Sequence, residues 1–467
     1  MPLEPPDPAP PRRIIVPGDD PRPAEPAAPP AERRDAPSAG APRIVLPPGV
    51  APEEPEDLPE YPRLRPLEII AMRDGDRDML LVSDPLGVMP APVALRIEAL
   101  EMLQVLDGSL SLSDISAEVV RASKDLRAGA YVKEFVAQLD RMLMLDSPRF
   151  AAAHGDLREG YHRLEVRQAI LGGHSYPEDP AELAAFVDGH FAEAERWRAA
   201  AGEPAAAPGG LPRALLAPHL DPRRAGAAIA RAYLELGVEQ SGPLRVVVYG
   251  TGHSLMGEAV ALTRKHFETP FGQIPCDTAF VGALAGRLGD AAWRGELAHR
   301  DEHSIEFHAV YLKRRFGDRP VTLVPILCGG FHGLLDAGQG PRDDATVEAL
   351  IAAVKEAEGV LGGATVHVAA VDLSHVGPRF GDPAVDERTL KEVESHDRAA
   401  LDAAARGDAD GWYQAIAAHE DSTRVCGWGA TYAMLRCADP GAGRLLRYQP
   451  SREENGSVVS VAAMVWP

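Results

Sequence analysis

A chain of 467 residues with 45% apolar side chains has room for two or three domains and for a sizeable core. Its formal charge of −21, with acids mixed through every region, disfavours a general nucleic-acid binder, because phosphate backbones are held by clustered Lys and Arg. There is no apolar run at the start and no uncharged apolar run of about eighteen residues, which disfavours secretion and membrane spanning, and the 4 cysteines lack CxxC spacing, which fits a reducing cytoplasm.

Residues 1–62 hold close to half of the 43 prolines, interleaved with Ala, Glu and Asp, and this composition predicts a disordered arm. Within it, RIIVP at 13–17 recurs as RIVLP at 43–47. The pair reads either as chance in a biased segment or as two docking motifs that add a strand to a sheet edge.

Residues 63–150 change character, and LEIIAMRDGDRDMLLVSDPLG predicts two strands across the polar RDGDRD turn. VALRIEALEMLQVLDG then predicts one helix closed by Gly108. SLSDISAEVVRA predicts a second helix capped by its serines, and YVKEFVAQLDRMLMLDS a third, amphipathic one. LQVLDGSLSLSDISAEV followed by LDRMLMLDS resembles the small winged-helix-like α+β modules of the PqqD type, which bind peptides or other domains. A plain helical domain is the alternative. Residues 151–165 read as a linker.

From 166 to 467 apolar β-runs alternate with helical stretches such as AGAAIARAYLELG and TVEALIAAVKEAEG. The predicted strands are RALLAPHL (213–220), LRVVVYG (244–250), VTLVPILCG (321–329), TVHVAAVDLSH (365–375) and SVVSVAAMVW (457–466). This alternation predicts an α/β layered domain, with a mainly parallel or mixed central sheet flanked by helices. In such sheets ligands bind beyond the carboxyl ends of the strands. Three runs end in groups able to bind metal or move protons: His219, His253 in the following TGHS, and Asp372 with His375. Histidines at three strand ends on one sheet edge predict a shared site.

RDEHSIEFHAVYLKR opens a helix with Asp301, Glu302, His303, Glu306 and His308. The acids serve either as helix-terminus groups favoured by the dipole or as cleft groups, and His303 and Glu306, three apart, can face one side. Cys426 precedes two glycines and a predicted helix, where a thiolate is favoured as metal ligand or nucleophile, and burial as a small apolar side chain is the other reading. Cys276, Cys328 and Cys437 lack that context and are assigned to the core.

These segments occur in an order that resembles the Memo family, also called protein B of the AmmeMemoRadiSam system. The resemblance rests on VRQAILGGHSYPEDPAELAAFVD, LLAPHLDP, VVVYGTGHS, TPFGQIPCD, DEHSIEFHAVYL, LVPILCG, VDLSHVGPRFG and RVCGWGATYAML, and it spans 166–467. It implies a fold similar to class III extradiol dioxygenases, which hold non-haem iron. It further implies His219, His253 and Cys426 as metal ligands, His375 as acid/base with Asp372 as its partner, and His303 lining the cleft with Glu302 and Glu306. A cysteine in place of a carboxylate makes the donor set softer, so iron or copper is expected, with zinc possible. Two departures are polar: Asp221 stands near the family's glycine and His174 at its tryptophan, and either side chain could add a group to the cleft. The implied activity is that of a dioxygenase-like metal-dependent oxidoreductase. The alternative is a non-catalytic module for a small-molecule or peptide ligand, working with a radical-SAM partner. A zinc hydrolase is disfavoured, since neither HExxH nor a paired-carboxylate motif is present.

Overall fold

The structure, a computed structural model, describes residues 58–74, 77–207, 209–239, 242–255 and 257–467. Most of the proline-rich arm, with RIIVP and RIVLP, lies outside the described residues. The chain divides into two compact units, at Glu159/Gly160.

In the small unit β1 (Glu68–Asp74) and β2 (Arg77–Ser83) pair antiparallel, Glu68 facing Ser83 and Asp74 facing Arg77. The single helix expected over VALRIEALEMLQVLDG is instead split. Val93–Arg96 forms β3 on the far side of β2, and α1 covers only Ala99–Gln104. The reason is pairing across the sheet: Leu80 faces Leu95 and Val82 faces Val93, and all four are buried. Burying each such side chain stabilises by about 1.5–3 kcal/mol, more than the few tenths that helix propensity offers. α2 (Leu112–Ser123) starts where the serine pattern indicates, Ser111 accepting the Asp114 N–H at 3.1 Å. α3 (Ala128–Arg141) packs Val132, Phe135, Val136 and Leu139 into the same core. α4 (Pro148–His162) occupies most of the stretch read as a linker.

The large unit opens with β4 (Val166–Arg167) and α5 (Pro180–Ala200), the latter capped by Asp179 ahead of Pro180. There follow β5 (Ala214–Ala217), α6 (Pro222–Tyr233), β6 (Leu244–Thr251), β7 (Val260–Leu262), β8 (His266–Phe267), α7 (Thr278–Leu288) and α8 (Ala291–Arg294). α9 (His303–Phe316), β9 (Val321–Cys328), α10 (His332–Asp336), α11 (Ala345–Leu361), β10 (Ala364–Ala370) and β11 (His375–Val376) continue the alternation. α12 (Glu387–Ala405), α13 (Ala409–Ala417), α14 (Trp428–Ala438), β12 (Arg444–Arg452) and β13 (Val458–Trp466) complete it.

The eight-stranded sheet runs β11-β13-β5-β10-β6-β9-β7, with β12 on β13. Its centre, β5-β10-β6-β9, is parallel, and β7, β11, β12 and β13 join antiparallel, so the sheet is mixed and flanked by helices. All five expected strands are present, although 371–374 leave the sheet before the short β11. The central strands read as unbroken apolar runs because both faces are covered. Val246 and Val248 of β6 face one apolar layer with Tyr311 and Leu312 of α9, and Val247 and Tyr249 face the other with Trp428 and Met434 of α14. Ala217, Ala370 and Gly250 end β5, β10 and the part of β6 that pairs with β10, in one row. Whatever follows these residues therefore meets at one edge. No helix among the described residues is long and apolar enough to cross a membrane.

Candidate metal centre

His219 follows β5 by two residues, and two bonds to the β10 side fix it. Its Nδ1 lies 2.8 Å from the Ala370 carbonyl, and its backbone N–H and that of Leu220 each donate to Asp372 Oδ1 at 3.0 Å. A carbonyl only accepts, so Nδ1 carries the ring proton and Nε2 keeps its lone pair. That Nε2 lies 3.1 Å from Cys426 Sγ.

His253 stands beyond β6 on the turn that Gly252 allows, where an added Cβ would come within 2.8 Å of Leu255. Its N–H donates to Glu302 Oε2 at 2.9 Å, its Nδ1 lies 3.0 Å from Glu302 Oε1, and its Nε2 lies 3.2 Å from Cys426 Sγ. Glu302 also caps α9 by accepting the Ser304 N–H at 2.9 Å. The two readings of this acid, helix cap and site group, are thus both met by one carboxylate.

Cys426 is strapped to the loop after β10: its N–H donates to Leu373 O at 3.2 Å and the Gly427 N–H to Asp372 O at 2.9 Å. A Cβ on Gly427 would lie 2.4 Å from Val371 Cβ, so the glycine is required for this close approach. The ligand atoms of His219, His253 and Cys426 all lie within 4.8 Å of one another, and those of His253, Glu302 and His303 form a second such group. The His303 ring stacks on His253 at 4.7 Å and meets His219 edge-on at 5.1 Å. The cluster is walled on the His219 side, 1% exposed, and open on the His253 side, whose ring is 40% exposed.

The electrostatics follow burial and pairing. Burial, with the neighbouring histidines, holds His219 well below the usual imidazole range. Desolvation opposes charge on His253 too, but Cys426 and Glu302 beside it outweigh that and raise it. Glu302 stays below the usual carboxylate range because its bonds to His253 and Ser304 overcome its burial. Burial lowers His303 and His375 to about 4 and lifts Asp372 to about 7.

Several expected roles change. Asp372 bonds the backbone at His219 and lies 3.6 Å from its Nε2, while the His375 Nδ1 faces the Leu373 carbonyl at 2.9 Å, so Asp372 does not orient His375. Glu306 is fully buried and lines no cleft: Arg167 pairs with it, Tyr176 donates its hydroxyl, and Leu171 N–H donates at 2.9 Å. A buried carboxylate needs such partners. Asp221 is the N-cap of α6, accepting the Arg223 N–H at 2.8 Å. His174 is exposed on a turn, its Nδ1 3.4 Å from Gly172 O, and has no bond to the cluster among the described residues. Arg167, not singled out from the sequence, is fully buried, and it also donates to Glu302 O at 2.8 Å and His299 O at 3.0 Å, bracing the start of α9. Cys276, Cys328 and Cys437 are buried and unpaired, as assigned.

The sequence profile of a family described as Memo-like protein matches residues 167–465. A MEMO1 family protein of Aquifex aeolicus is 24% identical over 394 residues, covering 83% of this chain and 96% of the relative. One from Thermus thermophilus is 28% identical over 341 residues, covering 73% and 93%, and one from Methanosarcina acetivorans is 26% identical over 309 residues, covering 65% and 99%.

Proposed function

Since the chain belongs to the Memo family, we propose that its large unit is a metal-dependent oxidoreductase, its ion held by His219 Nε2, His253 Nε2 and Cys426 Sγ. The observation that carries this reading is the convergence of three donor atoms, two of them on imidazoles whose other ring nitrogen is already bonded. An imidazole tied through its other nitrogen to a carbonyl or carboxylate is the usual form of a metal-binding histidine. Two imidazoles and a thiolate suit iron or copper, with zinc the further fit, and three protein ligands leave positions for substrate.

A redox-active ion bound there supplies electron transfer and Lewis-acid polarisation. The chain's own residues do the rest. His219, locked by Ala370 and Asp372, sets the back wall. Glu302 orients His253 and balances charge beside it. His303, stacked on His253, and His375, both neutral at pH 7, offer ring nitrogens as proton acceptors. The same reading places the protein in the cytoplasm, where unpaired thiols persist. The PqqD-like resemblance makes the small unit a recruiter of a peptide or a radical-SAM partner.

Metal analysis of anaerobically purified protein tests the proposal. One equivalent of iron or copper is expected, lost in His219→Ala and His253→Ala, with a thiolate-to-metal charge-transfer band absent in Cys426→Ser. A band that survives that substitution removes Cys426 from the ligand set. Metal-free protein whose cleft variants retain partner binding would make the large unit a non-catalytic binding module.

A further inference from the structure

The large unit holds a second concavity, of about 420 Å³, that shares no residue with the histidine–cysteine cluster. Its floor is Glu296, which is buried and fully engaged. Oε1 accepts from Lys265 Nζ at 3.0 Å and Thr263 Oγ1 at 2.8 Å, and Oε2 lies 2.6 Å from His162 Nδ1. The Lys265 charge is thereby balanced, and its ammonium also sits 4.5 Å from the Tyr161 ring.

The neighbouring Arg264 differs. Its guanidinium lies 4.6 Å over the Trp293 ring, and it forms no ion pair among the described residues. Arg294, next to Trp293 in sequence, is by contrast paired with Glu258 at 2.8 Å. His266 accepts the Cys276 N–H on Nδ1 at 3.0 Å, which leaves Nε2–H as that ring's donor. Once the internal pairs are closed, the lining offers the Arg264 guanidinium stacked on the Trp293 indole, an imidazole N–H and a second arginine, Arg163, with one carboxylate, Glu165, at the exposed rim.

This set is complementary to an anion with a flat body. A guanidinium binds phosphate through the paired N–H donors on its edge, and one lying on an indole presents a flat face on which a planar ring packs. The volume falls in the range of small-molecule sites, roughly 300–1,000 Å³, and far exceeds what a bare phosphate fills. We infer that this concavity is a second ligand site, taking a phosphorylated planar molecule of nucleotide size, with its phosphate on Arg264 and His266 and its ring against the Arg264–Trp293 stack.

Titration calorimetry and tryptophan quenching with three probes test this on the full chain: AMP, inorganic phosphate and adenosine. AMP is expected to bind saturably and at least tenfold more tightly than either part alone. Arg264→Ala should weaken AMP by at least tenfold with an unchanged melting curve, since this side chain is exposed, and Arg294→Ala should bind as the parent does. Absence of saturable AMP binding, equal affinity in Arg264→Ala, or phosphate binding as tightly as AMP would each overturn the inference.

Discussion

Glu302 does three jobs with two oxygens: it caps α9, accepts the His253 N–H, and faces that residue's Nδ1. Glu302→Gln keeps the shape but removes the charge, and is expected to lower metal affinity by about 10–100-fold while the fold persists, as read by competition with a chelator. Asp221 gives the opposite result: Asp221→Ala should cost about 1 kcal/mol in urea unfolding, the loss of a cap, with metal content unchanged. Glu358 provides a pH test away from the centre. Burial opposes its ionisation, but bidentate pairing with Arg213 and a bond from His367 win and lower it to about 2. A carboxylate lowered on folding stabilises above its unfolded pKa and loses that contribution as pH falls towards its folded one. The stability gap between the parent and Glu358→Gln, on the order of 2 kcal/mol, should therefore be full at pH 7 and narrow between about pH 4.5 and pH 2. The candidate ligand histidines were legible because each follows an apolar run at a strand end. Their supports were not: Glu302 lies 49 residues from His253 and Asp372 lies 153 from His219, and no local pattern records such pairings.

The same division between local and distant signals holds for elements. The parallel core was read correctly because strands buried on both faces are continuous apolar runs. β3 was read as helix because VALRIEALEML also matches a 3.6 period, and only its pairing with β2 decides the matter. β12 was missed because Arg444–Arg452 is a largely polar strand, held by β13. Arg167 shows how one buried side chain joins elements, linking β4 to α9 through Glu306 and two carbonyls. Arg167→Met strands Glu306 without its cation and should cost about 3–5 kcal/mol by denaturant unfolding. Gly427→Ala forces a Cβ into Val371 and should cost about 1–3 kcal/mol, with loss of bound metal as α14 moves the thiol away.

At the scale of the whole molecule, the small unit has its own core, built from residues such as Leu80, Leu103 and Phe135, which shares no residue with the large unit's layers. Every candidate ligand and every group that orients one belongs to the large unit. Residues 160–467 expressed alone should accordingly bind the same equivalent of metal as the full chain, by elemental analysis. One feature of the centre also bears on how the protein reaches its native state. His253 and Cys426 meet across 173 residues and Cys426 and His219 across 207, and each is anchored to a different strand or loop of the sheet. Loop-closure entropy makes such contacts late events in folding. A newly made chain therefore lacks this cluster until β5, β10 and β6 are aligned and the α14 loop has docked, so under the proposed function uptake of the ion would report completion of the sheet. In refolding experiments the metal-dependent signal should rise with the slowest phase, after helical circular dichroism has recovered.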